Sequence, residues 1–210
     1  AQYRFMLPGP DWRPSDIATA LTMMEGAMTA GGYAVLSGSQ PPGLADGFPA
    51  EVAAVAARRA AHLVIDTAGA PLAAFVRGPG PGAAILRLND DEAEALAGHP
   101  LPDRAASAAF AGGLVARGVA RAVILARGAD GSVLVTADGA VAAAAPPVPM
   151  RSRIGAGDSF VAALTLALAR GLTHAEALRH GVAAAAAAVM SEGTKLCRAE
   201  DVDALLPRCE

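Results

Sequence analysis

Ser152-Arg153-Ile154-Gly155-Ala156-Gly157-Asp158-Ser159-Phe160 is the stretch around which the rest of the chain is organised. Gly155, Ala156 and Gly157 stand immediately before an acid, and an apolar run to Ala169 follows, closed by Arg170-Gly171. The pattern predicts a loop that turns into a buried helix with its N-terminus near Ala156. A helix N-terminus carries unpaired N–H groups and a partial positive charge. Small residues let an anion reach those N–H groups closely. Asp158 then has two readings. It is an N-terminal charge or cap that gains from the dipole. Or it is a general base beside an anion hole, the pair that phosphoryl transfer requires. The spacing alone leaves both open.

Working outward, the 210 residues suffice for one domain with a sizeable core, and residues 1–210 are read as one. Seventeen basic and 20 acidic residues give a net charge of -3. There is no basic stripe, which argues against nucleic acid and anionic membrane as partners. The longest apolar runs, near Val182–Met190 and Phe160–Ala169, are too short to span a bilayer. Cys197 and Cys209 form no C-x-x-C pair, and with His62, His99, His174 and His180 they show no zinc spacing. A reducing cytoplasm is the expected location. Aromatics make up only 4 %, so alanine, valine and leucine must build the core.

The chain opens without an initiator Met, on Ala1-Gln2-Tyr3-Arg4-Phe5-Met6-Leu7, which alternates like a strand and stops at Pro8-Gly9-Pro10. It is expected to begin inside a sheet. A helix is predicted from Pro14 to about Ala30, then a strand over Tyr33–Ser37. A helix near Asp46–Ala60, a strand His62–Asp66 and a short helix around Pro71–Val76 follow. After the turn cluster at Gly78–Gly82 come a strand Ala83–Leu88, a helix opened by Asn89-Asp90-Asp91-Glu92, and a helix Asp103–Arg117. Arg121–Ala126 is a strand, and Ser132–Thr136 with Ala140–Ala144 a hairpin. The helix after Ala156 leads to helices near Ala175–Met190 and Asp201–Leu206. The alanine run Ala183–Ala188 is read as a tightly packed helix.

Strands alternating with helices imply a mainly parallel sheet covered on both faces, an α/β architecture. Ligands in such sheets bind beyond the carboxyl ends of the strands. Ser37–Gly43, Asp66-Thr67, Asn89–Glu92 and Gly128–Gly131 each follow a strand, which points to one shared site. Each motif has a plainer reading beside its functional one. Ser37–Gly43 is a rigid turn, or two hydroxyls held for a sugar or its phosphate. Asn89–Glu92 is an N-capped helix, or an amide and a carboxylate on one face holding the water shell of Mg²⁺. Gly128-Ala129-Asp130-Gly131 is an ordinary turn unless something else places a ligand on it.

Gly155-Ala156-Gly157-Asp158 resembles the C-terminal signature of the ribokinase-like (PfkB-type) sugar kinases, and the other motifs follow in that family's order. The resemblance covers nearly the whole chain from Gln2 to Cys197, and is strongest to the minor 6-phosphofructokinase branch. It implies a ribokinase-like three-layer α/β/α fold. It implies that Asp158 is the catalytic base and that Gly155, Ala156 and Gly157 form the anion hole. The Ser-Gly-Ser-x-Pro-Pro-Gly loop places Ser39 at the substrate phosphate. The Asn-x-x-Glu pattern gives Asn89 and Glu92 the Mg²⁺ role, and Asn89 also faces the nucleotide. The family usually has Lys two residues before that Asn. Here it is Arg87, whose guanidinium can still bind nucleotide phosphate but is bulkier and forked. Gly128 and Gly131 resemble the nucleotide loop, although Ala126 stands where a serine often precedes it. Arg153 replaces a usual Thr beside the anion hole, where it either binds ATP phosphates or crowds them. Ser191–Cys197 resembles the segment lining the adenine pocket and a monovalent-cation site, the place for K⁺.

The implied reaction is ATP-dependent phosphorylation of a sugar phosphate, fructose 6-phosphate to fructose 1,6-bisphosphate. The rival acceptors are those of 1-phosphofructokinase and tagatose-6-phosphate kinase, and a rival of another class is an inactive nucleotide-binding fragment. The family carries a further N-terminal part with the first strands, a Gly-Gly sugar motif and a lid that forms a homodimer interface. Those strands and the lid are expected to be absent here, which would leave a sheet edge prone to association.

Overall fold

The computed structural model describes residues 9–209. The expected opening strand, Ala1–Leu7, lies outside them. In chain order the elements are α1 Pro14–Ala27, β1 Tyr33–Ser37, α2 Phe48–Arg58, β2 His62–Asp66, α3 Gly69–Arg77, β3 Ala83–Asn89, α4 Asp90–Ala97, α5 Arg104–Ala116, β4 Ala120–Ala126, β5 Ser132–Thr136, β6 Gly139–Ala143, α6 Ala156–Ala169, α7 His174–Met190 and α8 Ala199–Leu205.

The strands form one sheet in sequential order, β1 to β6. β1 to β4 run parallel. β5 and β6 fold back antiparallel as a hairpin. Side chains alternate across the sheet and supply two cores. Leu63, Ile65, Leu86, Leu88, Val123 and Leu125 face α2, α3 and α5. Val64, Ile85, Ala122, Ile124 and Leu134 face α6, α7 and α8. The result is the three-layer α/β/α arrangement expected from the alternation of strands and helices.

Local chemistry sets the helix starts. Pro14 occupies the first turn of α1, where its missing N–H costs nothing. The Asp103 side chain accepts from Ala106 N at 2.7 Å and caps α5. Thr173 and Glu176 form a reciprocal capping box on α7. The alanine run is a packing device: Ala183, Ala184, Ala186, Ala187 and Ala188 are buried between α7 and its neighbours. At Gly181 an added Cβ would come within 3.0 Å of the Phe160 ring of α6.

Several boundaries differ from expectation by one to three residues, and two of the differences have a clear cause. α1 stops at Ala27, because Met28 turns extended (ψ 132°) and drops into the core at 8 % exposure. β3 runs on to Asn89, which pairs with Ala126 of β4 before it caps α4.

Among the described residues β1 has one strand neighbour, β2, and Val35 on it is 47 % exposed. An apolar groove of about 230 Å³ lies beside it, lined by Met24, Met28, Tyr33, Val35 and Leu36 among others. None of the polar strand-end loops lines that groove.

Candidate active site

Because β1 to β4 are parallel, their carboxyl ends share one edge of the sheet. Register then decides which residues meet there. Ser37 pairs with Asp66, and Asn89 with Ala126. The β1 and β2 ends are tied further by Gly38 N donating to Asp66 O (3.0 Å) and Thr67 Oγ1 donating to Gly38 O (2.8 Å).

The loop before α6 arrives over this edge. Gly155 is the N-cap residue, at φ 79°, a left-handed conformation that favours glycine. α6 begins at Ala156, as the sequence predicted. Asp158 is in its first turn, but it does not cap the helix: α6 has no side-chain cap bond. Its exposed carboxylate reaches β1 instead, where Oδ1 accepts from Ser37 Oγ at 3.3 Å. The same hydroxyl lies 3.3 Å from Asp66 Oδ2. Asp66 Oδ1 accepts from Arg87 Nη1 at 3.1 Å. The Arg87 guanidinium underlies the turn, since a Cβ on Gly157 would meet its atoms at 3.5 to 3.7 Å. Ser37, Asp66, Arg87 and Asp158 therefore form one connected polar chain. The sequence offers the Ser37 hydroxyl, with that of Ser39, to a sugar or its phosphate and gives Asp66 no role beyond its place at a strand end. The signal was their shared position as the last residue of adjacent strands.

Asn89 and Glu92 form a reciprocal capping box at α4. Glu92 N donates to Asn89 Oδ1 and Asn89 N donates to Glu92 Oε2, both at 2.8 Å. The plainer reading of this motif is thus realised, and it also holds both groups on one helical face. Burial pushes the Glu92 carboxyl above the ordinary range, while the Asn89 N–H and Arg87 pull it down. The box leaves Glu92 Oε1 as an acceptor. Among the described residues no three His, Cys, Asp or Glu side chains cluster to hold a metal ion. A small hard cation that keeps its waters suits this donor set, and a cation needing a full protein cage does not.

Gly128 and Gly131 bracket a short helical turn that follows β4. Gly131 is buried at φ 86°, and a Cβ there would fall 2.0 Å from Ala143 O. Arg127 braces the turn. It donates to Leu101 O (2.9 Å) and Ser107 Oγ (2.6 Å) and lies 3.6 Å from carboxylate oxygens of both Asp90 and Asp130. Arg104 donates to Asp130 O from the other side.

Ser39 is exposed on the loop two residues beyond Ser37. Next to it, both amide atoms of Gln40 are buried without a partner among the described residues. Arg153 is exposed, with Nε 3.4 Å from Met150 Sδ. Ser191 is the C-cap residue of α7, so the helix-end reading of that segment holds. The segment is nevertheless joined to the α6 loop, because Ser152 Oγ donates to Gly193 O at 2.8 Å. The structure thus gathers Ser39, Arg87, Asn89, Glu92, Gly128 and Gly131 at one edge of the sheet, with Asp158 at the end of β1.

A parallel sheet with its polar loops collected beyond the strand ends defines a small-molecule site of the α/β type. The chain belongs to the pfkB family of carbohydrate kinases, whose profile matches residues 16–201. It is 33 % identical over 202 residues to an ATP-dependent 6-phosphofructokinase isozyme 2 of Mycobacterium tuberculosis, covering 96 % of this chain and 58 % of that protein. To the isozyme 2 of Escherichia coli it is 32 % identical, covering 95 % and 64 %. A 1-phosphofructokinase of Xanthomonas campestris is 34 % identical, covering 94 % and 59 %. The chain therefore spans about three fifths of these relatives' lengths. The E. coli phosphofructokinase-2 crystallised with potassium superposes with a TM-score of 0.90 at 29 % identity, over 99 % of this chain and 66 % of that one. The ribokinase-like fold is further seen in an Arabidopsis thaliana ribokinase, TM-score 0.71 at 22 % identity. Among the described residues no helix is long and apolar enough to cross a membrane.

Proposed function

We propose that this site serves transfer of the γ-phosphoryl group of ATP to a hydroxyl of a sugar phosphate, with fructose 6-phosphate as acceptor and residues 1–210 acting as one unit. The observation that carries the reading is the exposed Asp158 carboxylate, uncommitted to capping, beside the open first turn of α6. Asp158 takes the proton of the attacking hydroxyl. The new O–P bond forms as the bond from the γ-phosphorus to its bridging oxygen breaks, and ADP leaves. Backbone N–H groups of Ala156, Gly157 and Asp158 meet the charge that builds on the phosphoryl oxygens, where preorganised donors act most strongly. Gly155 supplies the turn that aims them.

Ser39 contacts the acceptor's phosphate. Gly128, Gly131, Arg153 and Ser191 border the nucleotide, with Arg87 behind the anion hole. Glu92 and Asn89 would hold Mg²⁺ through its waters, and the bound ion would neutralise phosphate charge. The segment Ser191–Cys197 would hold K⁺. The assembly we assign is a homodimer and the setting cytoplasmic.

A spectrophotometric assay of ADP release tests the proposal, run on fructose 6-phosphate, fructose 1-phosphate and tagatose 6-phosphate. Turnover fastest on fructose 6-phosphate supports it. A second reading, 1-phosphofructokinase, is favoured by the Xanthomonas campestris relative, and fastest turnover on fructose 1-phosphate selects it. Calorimetry with a non-hydrolysable ATP analogue and Mg²⁺ adds the remaining distinction. Nucleotide binding with no turnover on any phosphosugar leaves an inactive binding chain instead.

A further inference from the structure

We propose that Ser37 is a positioning residue for Asp158, coupling that carboxylate to the buried Asp66–Arg87 pair through one hydroxyl. The proposal rests on the reading of Asp158 as the base and adds a residue to it. Ser37 Oγ lies 3.3 Å from Asp158 Oδ1 and 3.3 Å from Asp66 Oδ2. A serine hydroxyl has one proton, so it can donate to only one of the two carboxylates at a time. Two equal, long contacts are what one proton shared between two acceptors produces. Catalytic hydrogen bonds are also often long before substrate binds.

The surroundings decide which acceptor takes the proton first. Asp66 already has a charged donor, Arg87 Nη1 at 3.1 Å on its other oxygen. The Asp66 and Arg87 side chains are only 11 % and 14 % exposed, so this end of the chain is a fixed anchor. Asp158 is exposed. Ser37 donates to Asp158 Oδ1 and thereby turns Oδ2 toward an incoming hydroxyl. When Asp158 has taken the substrate proton, it no longer needs the donor. The Ser37 hydroxyl then rotates to donate to Asp66 Oδ2 instead. No covalent bond of Ser37 is broken and no proton is lost from it. Backbone register makes the coupling specific: Ser37 and Asp66 are direct strand partners, and Asp66 meets Arg87 across the next strand.

The test compares Ser37→Ala and Ser37→Thr with the unmodified chain. Removing the hydroxyl should lower kcat by about tenfold or more, the size of one hydrogen bond to a charged group. KM for ATP and for the phosphosugar should stay within about twofold, because only the reacting geometry is disturbed. Ser37→Thr keeps the hydroxyl and suits a strand, so it should recover most of the loss. A raised KM at unchanged kcat, or no recovery with threonine, overturns the proposal. Urea denaturation gives a reading that needs no turnover. The midpoint losses of Ser37→Ala and Asp158→Ala should fail to add in the double variant, as contacting residues do. Additive losses overturn the coupling. An unmodified chain without turnover on any phosphosugar would instead refute the kinase reading, and this cycle would still decide whether Ser37 holds Asp158.

Discussion

Arg87 Nη1 stands 3.1 Å from Asp66 Oδ1 beneath the turn that opens α6, and neither side chain is more than 14 % exposed. Charges taken this far from water are costly unless paired. Removing one partner leaves the other uncompensated. Asp66→Ala should therefore destabilise the fold by about 3–5 kcal/mol, read as a lower urea midpoint. Asp66→Leu combined with Arg87→Met removes both charges and should recover most of that loss. A single variant as stable as the parent would mean that Arg87 finds water or another anion.

Asp158→Asn should lower kcat by roughly 10²–10⁴, the usual contribution of a placed proton acceptor. KM and the denaturation midpoint should change little, because α6 draws no side-chain cap from this residue. Steady-state kinetics on the most active phosphosugar checks it. Retention of kcat within about threefold, far less than a base contributes, would return Asp158 to a helix-terminus charge.

Glu92 gives a pH dependence with a definite sign. Burial raises its carboxyl in the folded protein above the ordinary 4.5. The folded state then binds the proton more readily than the unfolded chain. Its contribution to stability is full below that ordinary value and is lost as pH rises through the folded value. Glu92→Gln stays neutral and retains an acceptor for Asn89 N. The parent should therefore lose stability relative to this variant between pH 4.5 and neutrality. Urea midpoints in metal-free buffer across that range provide the measurement, and a constant gap would refute the sign.

Among the described residues, both amide atoms of Gln40 are buried without a partner. An unsatisfied buried donor or acceptor costs about 1–3 kcal/mol. Gln40→Leu has similar volume and nothing left unpaired. It should raise the thermal midpoint, corresponding to about 1–2 kcal/mol, toward the lower end because Pro41 and Pro42 fix the loop either way. A drop in midpoint would show that the amide does bond in solution.

The legible part of the fold was local. Proline at the start of α1, the acids after Asn89 at α4 and the short apolar runs of β1 to β4 all act over a turn or a strand. The end of α1 slipped because a distant contact intervened, where Met28 leaves the helix for the core. The positions of Asp158, Asn89, Glu92 and the glycine loops were legible too, because each follows an element that its neighbours announce.

The sequence by itself determined which loops carry polar groups and that they follow strands. It also placed the glycine turn ahead of a helix, since turn chemistry and periodicity act within a few residues. Tertiary structure alone decided how those groups connect. Ser37 meets Asp158 across 121 residues of chain, and only strand order and register set Ser37 beside Asp66 and Asp66 beside Arg87. Tertiary structure also decided between the readings of the helix starts. Asn89 caps α4, whereas Asp158 leaves α6 uncapped and turns to β1. The reason is that a side chain near a helix start chooses among all the donors in reach, and those outside its own helix exist only once the sheet has formed.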